Sequence, residues 1–436
     1  MYMHKISIFC INKNWIRTVT PASTIFWVLF SSISPIFAQK SLVFDNKTYE
    51  PQIKTVLCYS PAQSALPSGI TAKNSQHLLL EFDDLREERE NYYVRLIHCN
   101  YDWSKSVLRD LEILRDYNEF PITDFTFSMN TAIPYVHYRF PLPTVKVAGN
   151  YLLLVYRDGN KNDLILTQRV LIFDNQMSLI QNDNLSGLGN LRNTNQALNF
   201  KLAYGRIDLI DPTGSVRVII RQNQRWDNAR QNVKPNIIRE DLRQMEFSFF
   251  DMDNTFSAGN EFRFVDFRSL NSPGQNTQRI DRSRKPVELY VQDDLPRNTQ
   301  AYSQYVDKNG SFSIENMDYR QEPWITANYV NVNFQLRSAK LPQDVYVIGA
   351  FNTWAQTDET KLTHSGGVYT GKVLLKQGFY DYMYWVKPHS TTSQGNQLEG
   401  NYFQTENLYD VLVYYRPFQP NADLLVGYFL IPVNPR

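Results

Sequence analysis

The segment VNVNFQLR, residues 330–337, alternates apolar and polar side chains without interruption. Successive side chains of a strand point to opposite faces, so valine, phenylalanine and leucine share one face here, and asparagine, glutamine and arginine share the other. This alternation predicts a strand with one buried and one solvated face, as in antiparallel sheets. The segment therefore indicates a β fold for this part of the chain.

Similar strand-length segments, separated by turn residues, recur through the chain from Leu42 onward. Segments 151–156 and 164–173 flank a polar loop and predict a hairpin. Asn309-Gly310 is the strongest short hairpin signal and is expected to join strands at 305–306 and 312–314. No helical crossover supports a parallel sheet. Short strands closed by turns at this spacing predict an all-β chain of immunoglobulin-like β-sandwiches.

Turn-rich stretches set the predicted domain boundaries. The Asn- and Gly-rich run at 182–195 is typical of a linker. Removing an N-terminal segment from 436 residues leaves a length that suits two or three domains. We predict three consecutive sandwich domains, at 39–178, 179–320 and 321–436.

Residues 1–38 have the layout of a secretory signal peptide. Lys5, Lys13 and Arg17 precede an apolar run at 25–30, and small or polar residues then lead to Ala38, after which cleavage is expected. A membrane anchor is the alternative, but serines and Pro35 interrupt the apolar run well short of the roughly 20 residues that a spanning helix needs. The prediction is an exported protein whose mature chain has no spanning segment.

The net charge of the chain limits the classes of partner that it is expected to bind. Lys and Arg total 45 and Asp and Glu total 44, so the chain is almost neutral. Neutrality gives no reason to expect binding to nucleic acid or to an anionic membrane surface. Aromatic residues make up 14% of the chain, a load that favours pleated sheets.

Two cysteines, Cys58 and Cys99, remain after the predicted cleavage. In an oxidising compartment they could form one disulfide. Such a bridge needs Cα atoms within about 7 Å, which the sequence does not reveal. The sequence therefore leaves two possibilities: a disulfide between Cys58 and Cys99, or two free thiols.

Candidate catalytic residues are sparse. His98 and Cys99 suggest a nucleophile with its base, but neighbouring side chains on a strand point apart. The run at 251–254 resembles the start of a calcium loop, yet Phe256 and Phe262 occupy the positions where such a loop needs Gly and Glu. We predict no catalytic, cofactor-binding or metal-binding residues, and interpret the chain as non-enzymatic.

The stretch VYVIGAFNTW at 345–354, followed by GFYDY at 378–382, resembles the glycogen-binding type of carbohydrate module, an early-set immunoglobulin-like sandwich. In binding members of that module the Trp that ends the turn stacks on sugar, and here Trp354 matches it. Asn407 matches an Asn near the last strand. Met383 replaces the Lys of the module, and the hairpin at 386–389 lacks its second Trp. The resemblance implies the fold more strongly than it implies sugar binding.

A second resemblance covers nearly the whole mature chain. Short motifs occur in one order: HCNYDW at 98–103, GNYLL at 149–153, QNQR at 222–225, GNEFR at 259–263, EGNYFQTEN at 399–407 and YYRPF at 414–418. Together they are similar to motifs of the plug proteins of the type IX secretion system. Residues 279–297 depart from that pattern, and the motifs do not define a docking surface.

This second resemblance implies a Bacteroidetes-type periplasmic protein associated with the outer membrane through its translocon. Such a plug docks at the periplasmic mouth of the translocon barrel and closes it while idle. Arg225 and Trp226 are candidate partner contacts, because Arg and Trp often anchor interfaces. The alternative is an exported glycan-binding protein that uses Trp354 and Asn407 of its C-terminal domain.

Overall fold

The structure is a computed structural model that describes residues 40–63, 66–181, 189–249, 255–302, 304–319, 322–388 and 395–436. The predicted signal peptide, its cleavage site after Ala38, residues 182–188 of the predicted linker and the calcium-like run at 251–254 lie outside the described residues. Described residues from Lys40 onward belong to one unit.

Strands dominate the described chain. The first group is β1 (Lys47–Thr48), β2 (Ile53–Tyr59), β3 (Ile70–Ala72), β4 (Leu79–Asp84), β5 (Tyr92–Cys99), β6 (Phe120–Pro121), β7 (Asp124–Phe127), β8 (Val136–Pro141), β9 (Gly149–Arg157) and β10 (Leu164–Phe173). The second group is β11 (Ser178–Gln181), β12 (Asn195–Gln196), β13 (Phe200–Ala203), β14 (Val216–Gln222), β15 (Arg230–Val233), β16 (Ile237–Arg239), β17 (Gln244–Phe247) and β18 (Phe256–Ser257). The third group is β19 (Arg263–Asp266), β20 (Thr277–Asp281), β21 (Val287–Val291), β22 (Phe312–Ile314), β23 (Tyr329–Arg337), β24 (Val345–Ile348), β25 (Thr363–Ser365), β26 (Val368–Lys376), β27 (Gly378–Val386), β28 (Asn407–Tyr415) and β29 (Leu424–Val433).

Helices are single turns. They are α1 (Asp110–Ile113), α2 (Pro212–Ser215) and α3 (Pro323–Thr326), with 3-10 turns at Lys73–Ser75, Gly189–Leu191 and Ala350–Asn352. In the described part of the chain, no helix has the length and apolar character needed to cross a membrane.

The strands form seven sheets within the described residues. Their orders are β1-β10-β9-β5-β6 with β3 on β10, β2-β4-β8-β7, β11-β13-β17-β16, β12-β18, β15-β14-β28-β29, β19-β27-β22 with β24 on β27, and β20-β21-β23-β26-β25. Strand pairings are antiparallel except β3 with β10 and β21 with β23. The all-β class predicted from the sequence is confirmed.

The alternating segment at 330–337 lies in β23, between β21 and β26. Its four apolar side chains are at most 1% exposed: Val330, Val332, Phe334 and Leu336. On the other face, the Asn331 and Asn333 amides donate to Glu288 at 2.9 and 2.7 Å. The predicted two-faced strand is therefore confirmed.

Three large apolar cores underlie the sheets. The first draws on residues 53–172 together with Ala422, and the second on residues 265–398. The third combines residues 177–256 with residues 409–433. A fourth cluster joins residues 70–173 to 219 and 412–428. The C-terminal strands thus complete a core that begins far earlier in the chain.

Sheets also cross the boundary predicted at 320/321. β14 pairs with β28 from Val216–Tyr415 to Gln222–Tyr409, and β19 and β22 both pair with β27. Hydrogen-bonded sheets therefore do not follow the consecutive order 179–320 then 321–436. The number of domains and their immunoglobulin-like type stay predictions.

Candidate functional site

Arg225 is placed by a turn at the end of β14. Asn223 and Gln224 both have positive φ, 52° and 56°, and the Arg225 N–H donates to the Gln222 carbonyl at 3.1 Å. Asn tolerates the left-handed region better than most residues because its short polar side chain bonds locally. The turn brings Arg225 against β27, where its side chain is buried.

Trp354 is placed by the turn that follows β24. Asn352 accepts the Gly349 N–H at 3.0 Å and donates to the Ala355 carbonyl at 2.9 Å, so the turn satisfies its own backbone groups. Trp354, with φ 62°, is only 7% exposed. Its ring lies 5.5 Å from that of Phe262. The tryptophan therefore packs inside the fold and does not present an open ring face.

The Arg225 guanidinium contacts two tryptophans. It lies 4.5 Å from the Trp354 ring centroid and 4.8 Å from that of Trp385. Its Nε and Nη2 also bond the Asp227 carboxylate at 3.0 and 2.6 Å, a bidentate pair. Trp385 was not singled out from the sequence. The second tryptophan had been sought one residue later, at 386–389.

Asn407 opens β28 and is 3% exposed. Its Nδ2 donates to Gln196 Oε1 at 3.0 Å and to the Ala258 carbonyl at 2.9 Å. Its Oδ1 accepts from Asn223 Nδ2 at 2.9 Å. The amide is therefore fully engaged and fixes the Arg225 turn to β28.

A cavity of about 650 Å³ lies beside these groups, and we call it the Arg225 cavity. The residues that matter in its lining are Arg225, Asn228, Phe256, Phe262, Trp385 and Asn407. The structure thus brings two predicted residues, Arg225 and Asn407, to one cavity. Trp354 contacts Arg225 and is not among the lining residues.

Trp226, the fourth candidate contact, lies elsewhere. Its ring meets Trp103 edge-on at 5.4 Å, and the Arg221 guanidinium lies 4.4 Å from it. Arg221 forms a buried ion pair with Asp410. Trp226 therefore helps join the fourth apolar cluster to β14 and does not reach the Arg225 cavity.

Cys58 and Cys99 are free, buried thiols. Cys58 belongs to the first core and Cys99 to the fourth cluster. His98 points away from Cys99, because its Nδ1 lies 2.9 Å from Ser106 Oγ. Burial lowers the pKa of this histidine to about 4. No thiol–imidazole pair forms between these neighbours. Among the described residues, no group of three or more His, Cys, Asp or Glu is arranged to hold a metal ion.

A second polar group lies where β4 and β8 meet β23 and β26, and we call it the Asp83 joint: Asp83, His137, Tyr329 and Lys376. Lys376 Nζ and Tyr329 Oη each donate to Asp83 Oδ2 at 2.6 Å. His137 Nδ1 lies 2.7 Å from Asp83 Oδ1. All four residues are at most 3% exposed.

The charges of this joint stabilise one another. Burial opposes ionisation of Asp83, but Lys376 and His137 hold the pKa of this carboxyl below its ordinary value. Burial likewise disfavours the charged imidazole, yet Asp83 and Glu81 raise the pKa of His137. Such a buried group demands one fixed arrangement, because each charge left alone in a low dielectric is costly.

The geometry defines an all-β protein held together by buried polar joints. Residues 53–174 match the family model described as the type 9 secretion system plug protein 1st domain. Residues 53–174 therefore match a domain of the plug family, which supports the family predicted from the motifs.

Solved structures give a further comparison. A crystal structure of a hypothetical protein from Parabacteroides merdae is similar to this chain, with a TM-score of 0.84 and 27% sequence identity over 90% of this chain and 100% of that chain. Trypsin-activated alpha-2-macroglobulin from Escherichia coli also matches, but its TM-score of 0.17 at 11% identity, over 91% of this chain and 30% of that one, carries no argument. No curated protein matches.

Proposed function

We propose that this protein is a periplasmic plug that docks at the mouth of the type IX outer-membrane translocon and closes it while no cargo passes. The observation that carries the proposal is the plug-domain match over residues 53–174. The all-β fold and the plug domain favour a non-catalytic protein. In this proposal the work is steric: a folded body occupies an opening.

A steric role requires a body that resists deformation, and the buried joints supply such resistance. The Asp83 joint ties residues that lie 293 positions apart in the chain, Asp83 and Lys376. A second buried group holds Glu399 between Arg263 and Arg297, with Nε–carboxylate distances of 3.0 and 2.9 Å. Burial favours the neutral acid, but the two guanidinium groups lower the pKa of Glu399 to about 2.

The proposed partner is the outer-membrane translocon barrel of the type IX system. Association with the membrane would be peripheral, through that barrel, after export directed by residues 1–38. A lasting seal would bury on the order of 1,600 Å² by the standard of stable interfaces. Arg225 and Trp226 do not define the docking surface on this chain. Arg225 pairs with Asp227, and Trp226 packs against Trp103.

Co-purification tests the proposal most directly. A C-terminally tagged chain, expressed from its own locus, should retain the translocon barrel after gentle solubilisation of the envelope. Deletion of the gene should admit vancomycin, a large antibiotic, and the wild-type gene should restore the barrier. A matched control gene lacking residues 53–174 should not restore it. Unchanged vancomycin sensitivity in the deletion strain, with no barrel retained, would contradict the proposal.

The glycan-binding alternative through Trp354 loses its main support in this geometry. Arg225 and Phe262 contact the indole, and a Cβ on Gly310 would lie 2.2 Å from it. Sugar stacking needs an accessible aromatic face, which a 7% exposed ring does not offer. The plug proposal is therefore the one that the fold favours.

A further inference from the structure

Strand β7, Asp124–Phe127, lies at one edge of the sheet β2-β4-β8-β7. It pairs with β8 from Asp124–Arg139 to Phe127–Val136, and none of the other described strands pairs with it. Its residues are exposed except for the half-buried Phe125. The edge that faces away from β8 therefore carries no strand within the described residues.

The register of β7 fixes which of its backbone groups point toward β8. The Ser128 N–H, one residue beyond β7, donates to the Tyr135 carbonyl at 2.9 Å. Residues of an antiparallel pair face their partner alternately, so Thr126 and Asp124 also direct their N–H and C=O groups at β8. The residues between them direct these groups outward, away from the sheet.

The outward-facing residues are Phe125, Phe127 and Met129. Met129 shows the direction, because its N–H donates to the Ile325 carbonyl at 2.8 Å, beyond the edge of the sheet. Phe125 and Phe127 have no backbone hydrogen bond across this edge within the described residues. The edge thus offers two N–H and two C=O groups at the spacing of a strand.

An apolar row lies along the same edge. Phe125, Phe127 and Met129 alternate with polar residues and so share one face of the strand. Phe125 packs between Tyr138 of the first core, at 6.2 Å between ring centroids, and the Arg89 guanidinium, at 4.4 Å. Phe127 and Met129 continue this row but are 50% and 42% exposed. The apolar face of the first core therefore extends past the residues that cover it.

Several other edge strands carry the charged residues or Pro that protect an open edge from unwanted pairing. β6 ends in Pro121, β16 ends in Arg239, and β20 contains Arg279. β7 has the sequence Asp-Phe-Thr-Phe, so its single charge lies at its first residue. Such an edge suits an extended segment that adds to the sheet as a further strand.

The charges at the two ends of this edge indicate the flanks of such a segment. Asp124 starts β7, and Glu322 precedes α3, whose Ile325 carbonyl binds the other end. Both carboxylates are exposed, and neither forms an ion pair within the described residues. Arg139, opposite Asp124, is already paired with Glu81 at 3.1 Å. The two acidic ends favour a segment that carries Lys or Arg at its own ends.

A second copy of this chain suits the edge poorly. If two β7 strands paired, carboxylates would meet at both ends: Asp124 with Glu322 in the antiparallel orientation, and each with its own counterpart in the parallel one. Like charges repel. A four-residue strand also spans only about 14 Å, which is short for a stable interface of on the order of 1,600 Å². The favoured occupant is a separate extended segment.

We propose that the outer edge of β7 pairs with an extended segment of the translocon barrel that the plug closes. The Phe125 and Phe127 backbone groups bond the main chain of that segment. Its apolar side chains cover Phe127 and Met129, and its Lys or Arg residues face Asp124 and Glu322. This inference rests on the proposed plug function and assigns its docking surface.

Substitutions on the two faces of β7 test this surface. Phe127→Lys places a charge in the apolar row, whereas Thr126→Lys places the same charge on the opposite face of the same strand. Ile237→Lys, at a 47% exposed residue of the edge strand β16, is the control for an exposed apolar side chain elsewhere. Each variant is first checked for an unchanged unfolding midpoint. From gently solubilised envelopes, tagged Phe127→Lys should retain roughly fivefold less barrel than wild type, and the two controls should retain as much as wild type.

Hydrogen exchange of the wild-type chain tests the pairing itself and needs no substitution. In the complex with the barrel, the amides of residues 124–129 should exchange roughly tenfold more slowly than in the free chain, because the outward N–H groups gain acceptors. Residues 237–239 should exchange at the same rate in both states. Mass spectrometry of peptides that contain these segments measures both rates.

The outcomes separate this inference from the plug function. If wild type retains the barrel and Phe127→Lys retains as much, if Thr126→Lys loses as much as Phe127→Lys, or if exchange at 124–129 is unchanged, the β7 edge is not the docking surface and the plug function still stands. If wild type retains no barrel, the plug function fails and this inference fails with it. A wild-type dimer in size-exclusion chromatography that Phe127→Lys dissociates would make a second copy the occupant and overturn the proposal.

Discussion

The Asp83 joint and the Arg225 cavity are both built from buried polar side chains, but they differ in what those side chains contact. In the joint, the Asp83 carboxylate is hydrogen-bonded to Lys376, Tyr329 and His137. At the cavity, Arg225 and Trp385 each retain a donor without an oxygen acceptor. The two places differ in how their charges are arranged: in the joint, Lys376 and His137 both face the Asp83 carboxylate, whereas Arg225 pairs with Asp227 and lies against two tryptophan rings. Neither place satisfies every polar atom, since His137 Nε2 and Trp385 Nε1 have no hydrogen-bond partner.

Breaking the joint should give the largest effect. Lys376→Met removes the ammonium and leaves Asp83 buried without its main counter-charge, so we expect the free energy of unfolding to fall by roughly 3–5 kcal/mol. Chemical denaturation followed by circular dichroism measures the change.

Lys372→Met is the matched control on the same strand. Its Nζ pairs with Glu288 at 2.9 Å, but the Lys372 side chain is 51% exposed. An exposed pair contributes only about 0–1 kcal/mol. Equal losses in the two variants would contradict the assignment of the joint as a stabilising element.

A second test concerns the packing behind Arg225. Gly310 has φ +80°, and a Cβ there would lie 2.2 Å from Trp354. Gly367 has the same φ of +80° but no atom within 4 Å of its Cβ position. Alanine at either site pays for the left-handed backbone, about 1–2 kcal/mol, and overpacking at Gly310 adds about 1–3 kcal/mol.

We therefore expect Gly310→Ala to lower the unfolding free energy more than Gly367→Ala does, in the same denaturation experiment. Arg225 should also lose its contact with Trp354, visible as a change in tryptophan fluorescence for Gly310→Ala alone. Equal unfolding free energies for the two variants would mean that the Trp354 turn rearranges at little cost in energy and does not fix the wall of the cavity.

A third test uses the pH dependence of stability at Asp381, whose carboxylate binds the backbone of the Asn309-Gly310 turn. Burial raises the pKa of Asp381 to about 7, and one of its oxygens has no protein donor. Asp381 Oδ2 accepts from the backbone N–H groups of Lys308 and Gly310, at 2.6 and 3.2 Å. Neighbouring Asp307 has its pKa raised to about 7 by burial and by the Asp381 charge. The other charged groups facing the loop are Glu261, Glu406 and the Lys308 ammonium.

The sign follows from proton uptake. Between pH 4 and pH 7 the folded chain holds protons on these carboxyl groups that the unfolded chain has released, so stability rises as the pH falls through 7. Relative to Asp381→Asn, wild type should gain roughly 2 kcal/mol between pH 8 and pH 5. His137 contributes in the same direction in both proteins, since its pKa is raised in the fold. Denaturation at the two pH values measures the difference.

Asp344→Asn provides the control, because its side chain is 44% exposed. Its pH dependence should follow that of wild type. If Asp381→Asn also followed wild type, Asp381 would already be ionised and solvated, and the turn would not be held by a neutral carboxyl group.

The sequence predicted local structure better than it predicted assembly. Alternation identified β23, and the segments at 151–156 and 164–173 correspond to β9 and β10. Asn309 and Gly310 do form a turn with positive φ before β22. The strand expected at 305–306 is absent from the structure of that described segment, because Asp381 and Phe262 bind the loop instead.

The assembly depends on pairs that are distant in sequence. β14 and β28 pair although about 190 residues separate them, and no periodicity within either strand specifies that partner. The contact of Arg225 with both Trp354 and Trp385 has the same origin. The resemblance to the carbohydrate module suggested Trp354 as a ligand contact, but in the structure its ring is 7% exposed and packs against Arg225 and Phe262.

The smallest expected effect is an absence of reaction at the two cysteines. Burial raises the pKa of the Cys58 thiol, and it raises that of Cys99 to about 12, so neither forms the reactive thiolate near neutral pH. Iodoacetamide at pH 8 should leave both unmodified in the folded protein and modify both after denaturation, as measured by peptide mass spectrometry. A Cys58–Cys99 crosslinked peptide without reductant would contradict the placement of these thiols in two separate clusters. Both thiols are buried, so their resistance to iodoacetamide should be unchanged in Trp385→Phe. It should decline in Lys376→Met, because that substitution destabilises the fold. Thiol reactivity therefore distinguishes a change at the cavity from a change at the joint.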